Sequence, residues 1–73
     1  MKKVYRLKDL DCANCAAKME RSIAKIEGVR SVNVNFIAQK LTIEADDSSF
    51  DEVKTKMAAV CKRIEPDCEI LGL

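Results

Sequence analysis

The chain is 73 residues long and contains one tyrosine, two phenylalanines and no tryptophan, which suffices for one small domain but not for a large catalytic cleft. Its thirteen basic and twelve acidic residues are interleaved and leave a net charge of +1, so the charge pattern gives no indication of nucleic-acid binding. No apolar stretch approaches the roughly 20 residues needed to span a bilayer, and no secretory signal is evident in the first ten residues.

Segment 4–10 (VYRLKDL) is the first predicted element. Its length, its aromatic and β-branched residues and its imperfect alternation of apolar with basic side chains favour a strand. A helix is predicted after the first two cysteines of the chain, at positions 12 and 15. Met19, Ile23 and Ile26 recur at helical spacing and form an apolar stripe, and the basic residues lie mostly off that stripe. Gly28 follows at a position where the C-terminus of a helix favours glycine.

Two further strands are predicted in the middle of the chain. Apolar side chains alternate with polar ones in segment 30–36 (RSVNVNF) and again in segment 40–45 (KLTIEA). Only residues 37–39 (IAQ) separate the two segments, and a connection of that length is typical of a β-hairpin.

A second helix is predicted over residues 48–64. Ser49 followed three residues later by Glu52 has the pattern of a capping box at a helix N-terminus. Six apolar residues share one face of this helix: Phe50, Val53, Met57, Val60, Cys61 and Ile64. The helix should end near Pro66, which cannot continue it. Segment 68–73 (CEILGL) is short and apolar and is predicted as a last strand.

Residues 1–73 contain no linker or low-complexity segment and are expected to form a single domain. The element order predicts an α+β fold, the ferredoxin-like βαββαβ sandwich. With right-handed crossovers it has one four-stranded antiparallel sheet, in the order 4-1-3-2, with both helices on one face. Strand 4 then lies beside strand 1 in the opposite direction. Loop 64–68 (IEPDC) is therefore expected at the same corner as residues 9–15.

The four cysteines carry most of the chemical information. The chain is expected in the cytoplasm, where thiols stay reduced, so metal ligands, redox groups or small buried residues are favoured over a disulfide framework. Cys12 and Cys15 have the C-x-x-C spacing that lets two thiolates converge on one ion or one S–S bond where a loop enters a helix. Unpaired N–H groups and the dipole at a helix start lower thiol pKa values and favour the thiolate.

The run from Tyr5 to Phe36, together with the KLTIEA strand, resembles the heavy-metal-associated domain, a module of soluble metallochaperones and of metal-transporting P-type ATPases. That family has the pattern Gly-Met-x-Cys-x-x-Cys, and the resemblance assigns its two metal-binding cysteines to the C-x-x-C pair of this chain. Asp9 stands at the glycine of the pattern and Leu10 at the methionine. Leu10 is expected to replace methionine as the apolar residue beneath the loop.

The residue before the first cysteine distinguishes metals within the family. Copper(I)-handling members usually have an uncharged residue there, whereas members that resemble zinc, cadmium and lead exporters have aspartate, as this chain has at Asp11. Copper(I) with two thiolates is already anionic, and a carboxylate about 4 Å away adds a repulsion of about 1 to 4 kcal/mol. Zn²⁺ or Cd²⁺ with two thiolates is neutral and accepts an oxygen ligand. The alternative is a helix-terminal acid that stabilises the dipole or caps an amide, by about 0.3 to 1 kcal/mol.

The loop before the last strand offers candidates for a fourth ligand, namely Glu65, Asp67 and Cys68, beside water or a group from a docking partner. A solvated turn around Pro66 would also explain both acids. Copper chaperones of the family that the chain resembles often have tyrosine or lysine in this loop. This chain has neither, which is a further indication against copper.

The remaining sulfur residues are predicted to lie in the core. Cys61 is on the apolar stripe of the second helix and Cys68 begins an apolar strand, so burial as small hydrophobic residues is expected for both, less strongly for Cys68 because it lies nearer the metal corner. Met19 and Met57 lie at helical spacing and are predicted to be core residues, not copper ligands.

The leading hypothesis is a module that binds and transfers a soft divalent ion, zinc, cadmium or lead, held by Asp11, Cys12 and Cys15 with a fourth position open. The resemblance implies the N-terminal domain of a metal-transporting P-type ATPase, or a soluble carrier that exchanges metal with such a protein, without covalent catalysis. The alternative is a copper(I) chaperone domain. A thioredoxin-like thiol-disulfide oxidoreductase is disfavoured because Ala-Asn replaces the usual Gly-Pro between the cysteines. We expect a monomeric cytoplasmic domain whose partner is a metal donor or acceptor.

Overall fold

All residues from 1 to 73 are described by the structure, a computed structural model, and they form the predicted strands and helices in the predicted order. The strands are β1 (Lys2–Lys8), β2 (Val29–Asn35), β3 (Lys40–Ala45) and β4 (Glu69–Leu71), and the helices are α1 (Ala13–Ala24) and α2 (Phe50–Ile64). The strands pair antiparallel in the order β2-β3-β1-β4. This is the predicted order 4-1-3-2 counted from the other edge, and it confirms the ferredoxin-like α+β fold.

The core lies between one face of the sheet and the inner sides of both helices. Alternate residues of the central strands point into it, because successive side chains of a strand face opposite sides of the sheet. The largest completely buried side chains are Met19, Ile23, Leu41, Ile43, Val53 and Met57. Full burial of a side chain of this size contributes about 1.5 to 3 kcal/mol. The two methionines are thus core residues, as predicted. Neither helix is long and apolar enough to cross a membrane.

Helix α1 ends earlier than the position of Gly28 suggests. Its last residue is Ala24, and the N–H of Ile26 then donates to the carbonyl of Ile23 at 3.0 Å, so the chain tightens into a turn. Gly28 completes that turn with φ 97°, a conformation that glycine adopts readily. The predicted helix end beside Gly28 is therefore wrong, because this glycine ends the following turn.

The capping box predicted at the start of α2 does not form. Ser49 is the N-cap residue, but its side chain makes no capping hydrogen bond. Its backbone, at φ −108° and ψ 0°, is not in the extended conformation that such a cap needs, because Asp47–Ser49 already form a 3-10 turn leading into the helix. The other end of α2 agrees with the prediction, since Ile64 is its last residue and Pro66 follows.

Two strands are shorter than predicted at their C-terminal ends. β1 ends where Asp9 takes φ 61°, and β4 ends where Gly72 takes φ 90°. Backbone in the left-handed region leaves the extended conformation of a strand. The predicted strands 4–10 and 68–73 therefore run past the observed ends.

Three loops lie side by side at one end of the sheet. β1 pairs with β4 so that Lys8 is opposite Glu69, and β3 begins beside the last residues of β1. The cysteine loop (residues 9–12) therefore lies near the facing loop (residues 65–68), which confirms the predicted corner. The hairpin loop (residues 36–39), between β2 and β3, lies at the same end.

Candidate metal centre

The cysteine pair lies where the cysteine loop becomes α1. Cys12 is the N-cap residue of the helix, with extended backbone, and its sulfur accepts a hydrogen bond from the backbone N–H of Cys15 at 3.3 Å. A thiol sulfur thus takes the place of the side-chain oxygen that usually caps a helix. Both cysteines are reduced and half-buried, so both sulfurs are accessible to a ligand. The predicted position of the pair at a helix start is confirmed.

The two thiols of the pair differ in acidity. The pKa of Cys12 lies below its ordinary value because the thiol and then the backbone N–H of Cys15 donate hydrogen bonds to its sulfur. That same thiol hydrogen bond is the largest cause raising the pKa of Cys15 to about 11, and burial and the negative charges of Cys12 and Glu65 add to it. Cys12 therefore loses its proton and becomes a thiolate more readily than Cys15. Cys15 must lose its proton before both sulfurs can hold one cation.

The cysteine loop begins with two residues that depart from the family pattern. Asp9 has φ 61°, a left-handed conformation that aspartate tolerates better than most residues and that glycine adopts freely. The glycine of the pattern would meet the same backbone requirement. Leu10 is 3% exposed and belongs to the hydrophobic core. Its predicted place beneath the loop is confirmed.

Gln39 in the hairpin loop contacts the cysteine loop directly. Its amide nitrogen donates to the carbonyl of Leu10 at 2.7 Å, and its amide oxygen accepts from the Leu10 N–H at 3.2 Å. In the sequence Gln39 is only part of a short connection between two strands, and this contact is not predicted. The one available signal is a long uncharged amide in a three-residue connection, and no periodicity or motif marks it.

The facing loop brings an acid and a buried thiol to the corner. Glu65 is half-buried and close enough to the cysteine pair for its charge to raise the pKa of Cys15, whereas Asp67 is exposed. Cys68 is buried, and burial is the largest cause raising its pKa to about 12. Cys61 is also buried, and its thiol donates to the carbonyl of Cys68 at 3.4 Å. The predicted core positions of Cys61 and Cys68 are confirmed.

Asp11 is exposed on the cysteine loop, and the helix cap beside it is formed by the sulfur of Cys12. Burial is the largest cause that raises the pKa of Cys68, and the charge of Asp11 is the smallest. No three or more His, Cys, Asp or Glu side chains are arranged together as a ready metal cage. The corner therefore provides two sulfur atoms. Beside the thiol of Cys12 and burial, the carboxylate of Glu65 also raises the pKa of Cys15, through a side-chain hydrogen bond and through its charge.

This fold and site define a class of protein: a small α+β domain that can present two thiolates of one strand-to-helix corner to a soft metal ion. Residues 4–66 match the family model described as the heavy-metal-associated domain. The chain belongs to the heavy-metal-associated domain family. The resemblance inferred from the sequence is confirmed.

Several curated relatives are metal-transporting ATPases. A probable cadmium-transporting ATPase of Listeria monocytogenes is 43% identical over 68 residues, and the cadmium, zinc and cobalt-transporting ATPase of Bacillus subtilis (strain 168) is 39% identical over 66 residues. These matches cover 93% and 90% of this chain, respectively, but 9% of each relative. The chain thus spans less than a tenth of the length of these ATPases.

Solved structures with the same fold include metal-carrying proteins. A structure described as the CopZ metallochaperone matches with a TM-score of 0.76, covering 97% of this chain and 100% of the other, at 18% sequence identity. At that identity the match shows the shared fold.

Proposed function

We propose that this domain binds a soft divalent ion, Zn²⁺ or Cd²⁺, with Pb²⁺ as a further member of the class, and exchanges it with a protein partner. The observation that carries this proposal is the half-buried pair of thiols with Asp11 directly before it. The names of the ATPase relatives, which refer to cadmium, zinc and cobalt, support a divalent ion. In this proposal Cys12, Cys15 and Asp11 are the metal ligands.

Charge balance favours the divalent ion. Two thiolates neutralise Zn²⁺ or Cd²⁺, and the carboxylate of Asp11 can then approach as an oxygen ligand, which these borderline ions accept. Two thiolates on copper(I) already leave a negative charge, so the same carboxylate is repelled by about 1 to 4 kcal/mol at about 4 Å. Asp11 therefore selects for a divalent ion, because its carboxylate stabilises the complex with Zn²⁺ or Cd²⁺ and destabilises the complex with copper(I).

Metal loading would begin at the more acidic thiol. Cys12, whose pKa is lowered by the hydrogen bonds from Cys15, is the first ligand to meet the incoming ion. The bound cation then lowers the pKa of the Cys15 thiol, which releases its proton and becomes the second ligand. Asp11 is exposed and free to turn towards the ion as the third ligand.

The fourth position would be left for exchange. Glu65 and Asp67 of the facing loop are candidates for it, as are water and a ligand from the partner, whereas the Cys68 thiol would first have to leave its buried position. In an accessible site of this kind, the thiolates or carboxylates of a receiving protein can replace the ligands one at a time. Release thus requires no unfolding of the domain.

The partner we propose is the metal-transporting part of a P-type ATPase. This domain is either a part of the same chain as that transporter or a separate carrier that exchanges metal with it. The domain would perform no catalysis of its own and would act as a monomer on the cytosolic side of the membrane. Its share of the length of the ATPase relatives, 9%, is compatible with one domain of such a transporter.

A copper(I) carrier is the second candidate. The observation in its favour is that the corner presents two accessible sulfur atoms from one C-x-x-C pair, which suits an ion that prefers soft sulfur. A thiol-disulfide oxidoreductase is less well supported, because Ala13 and Asn14 stand between the cysteines and the cysteine pair follows a strand of an antiparallel ferredoxin-like sheet. Turnover in an insulin-reduction assay would revive that candidate.

The test is a chelator-competition measurement of Zn²⁺, Cd²⁺ and copper(I) affinity in Asp11→Asn and Asp11→Ala. The matched control is Asp51→Asn, which removes an exposed carboxylate of α2. We expect Zn²⁺ and Cd²⁺ binding to weaken by about tenfold or more in both Asp11 variants, with copper(I) binding unchanged or tighter and the control unaffected. Cys12→Ser and Cys15→Ser should each lose most of the affinity.

X-ray absorption of the bound metal gives an independent readout. Two sulfur ligands with oxygen are expected for Zn²⁺ in the parent protein, and the oxygen contribution should fall in Asp11→Ala. Unchanged Zn²⁺ and Cd²⁺ affinity in Asp11→Ala would rule out Asp11 as the third ligand. Two-sulfur coordination of copper(I), combined with tighter retention of copper than of zinc, would favour the copper carrier.

A further inference from the structure

One side chain connects the hairpin loop to the cysteine loop. The amide nitrogen of Gln39 donates both to the carbonyl of Leu10, at 2.7 Å, and to the carbonyl of Phe36, at 2.8 Å. Its amide oxygen accepts from the backbone N–H of Leu10 at 3.2 Å. Both backbone polar groups of Leu10 are thus satisfied by a residue 29 positions away in the chain.

The backbone around Gln39 is also tied to β1. The Gln39 carbonyl accepts from the N–H of Leu7 at 2.8 Å, so the hairpin loop is held to the end of that strand by its main chain as well as its side chain. Gln39 itself has φ 55°, a conformation that is unfavourable for a glutamine. The hydrogen bonds of Gln39 compensate for this backbone cost and keep its side chain directed at Leu10.

We propose that Gln39 is a positioning residue for the metal-binding pair. This inference rests on the proposed function and adds a residue whose hydrogen bonds go to residues other than the proposed ligands. Leu10 lies two positions before Cys12, so holding the N–H and the carbonyl of Leu10 sets the direction in which Asp11 and Cys12 leave the sheet. Groups that hydrogen-bond to metal ligands directly commonly contribute a factor of about 10 to 100 in metal affinity, and Gln39, which acts through the backbone of Leu10, should contribute near the lower end of that range.

The chemistry of the contact suits a glutamine. A side chain that bonds to both groups of one residue needs a donor and an acceptor, and an amide carries them on two separate atoms without charge, whereas a hydroxyl must supply both from one oxygen. Glutamate would oppose a carboxylate to the two carbonyls that Gln39 now contacts. Asparagine keeps the amide and suits a left-handed backbone better, but it is one methylene shorter and cannot reach Leu10 from the same backbone position.

The experiment compares Gln39→Met and Gln39→Asn with the parent domain. Methionine has nearly the same length and makes none of the three hydrogen bonds. Arg30→Gln is the control, because it removes a polar contact, Arg30 to Asp46 at 2.7 Å, beyond the other end of β3. Cd²⁺ affinity is measured by chelator competition. Urea unfolding of each variant is measured as well, so that affinities are compared under conditions in which every variant is folded.

We expect Cd²⁺ affinity to fall by about tenfold in both Gln39 variants and by less than about twofold in Arg30→Gln. Gln39→Asn is the decisive variant, because its better backbone fit should leave unfolding close to that of the parent while its affinity falls. A purely structural role would lower stability but would leave the Cd²⁺ affinity unchanged under conditions where every variant is folded. Parent-like Cd²⁺ affinity in a folded Gln39→Asn would overturn the inference, even if Gln39→Met failed to fold.

Two metal-free measurements separate this inference from the proposed function. Amide hydrogen exchange at Leu10 and the rate of Cys12 alkylation by iodoacetamide should both change in Gln39→Asn and remain unchanged in Arg30→Gln. A parent domain that bound no Cd²⁺ would contradict the proposed function, and these two readouts would then decide whether Gln39 positions the loop. Unchanged exchange at Leu10 in Gln39→Asn would overturn the positioning role.

Discussion

Replacing Gly28 by alanine should destabilise the domain much more than the same change at Gly72. Both glycines lie in the left-handed region, with φ 97° and φ 90°. The space around the two glycines differs. A Cβ added at Gly28 would lie 2.9 Å from the Cβ of Ser49, whereas a Cβ added at Gly72 would have a ring carbon of Tyr5 as its nearest neighbour, at 3.8 Å. Comparison of the two variants therefore separates a steric clash from the cost of the backbone conformation.

The expected magnitudes follow from these two contributions. A left-handed backbone costs an alanine about 1 to 2 kcal/mol, and the reduced freedom of the unfolded chain returns about 0.4 to 1 kcal/mol. Gly72→Ala should therefore lose up to about 1.6 kcal/mol. The Cβ of Ser49 cannot rotate away, because it is attached directly to the backbone, so overpacking adds about 1 to 3 kcal/mol at Gly28. We expect Gly28→Ala to lose about 1 to 4.6 kcal/mol, which is about 1 to 3 kcal/mol more than Gly72→Ala loses.

The free energy of unfolding is measured for both variants and the parent by urea denaturation, followed by far-UV circular dichroism without metal. Domains of this size are typically stable by about 4 to 11 kcal/mol, so a loss of that size at Gly28 should shift the midpoint clearly. Gly28 is in the turn after α1, away from the cysteine loop, and the folded variant should therefore retain its metal affinity. Equal losses at the two glycines, within about 0.5 kcal/mol, would refute the steric reasoning.

Three further results are expected. In the metal-free domain, iodoacetamide should alkylate Cys12 first and Cys61 and Cys68 last, because Cys61 and Cys68 are buried and have raised pKa values. Equal alkylation rates of these cysteines, measured by mass spectrometry, would contradict this order. Cd²⁺ affinity from competition titrations should rise by about tenfold or more per pH unit between about pH 6 and 8, because Cys15, with a pKa of about 11, must release its proton; a pH-independent affinity would contradict this. Met57→Ala should lose about 2 to 5 kcal/mol in urea unfolding, because Met57 is completely buried, and a loss below about 1 kcal/mol would show that the core collapses around the gap.

Periodicity in the sequence was sufficient to predict the elements and their buried faces. Leu41 and Ile43 alternate with polar residues and are completely buried, and Val53 and Met57 lie on the helical stripe that packs against the sheet. The direction of each side chain is set by the local period of its own strand or helix. Such predictions therefore required no knowledge of which elements are neighbours.

Element ends depended on contacts that the local pattern does not contain. Ser49 has a residue type suited to capping, yet the turn before it places its backbone in a conformation where the cap cannot form. Gly28 marks the end of a turn and not of α1. In both cases a neighbouring segment decided which of two locally acceptable conformations the chain adopts.

The sequence by itself determined the chemistry that the site can offer: two thiols spaced for one ion at a helix start, and an aspartate directly before them. The tertiary structure decided the pKa values of these thiols and the hydrogen bonds that position the loop before them. The charge of Glu65 reaches Cys15 from fifty residues along the chain, and Gln39 holds Leu10 across 29 residues. These contacts arise because the sheet places β4 and the β2–β3 hairpin beside the end of β1. A local pattern specifies which groups are present, whereas the pairing of strands specifies which groups meet.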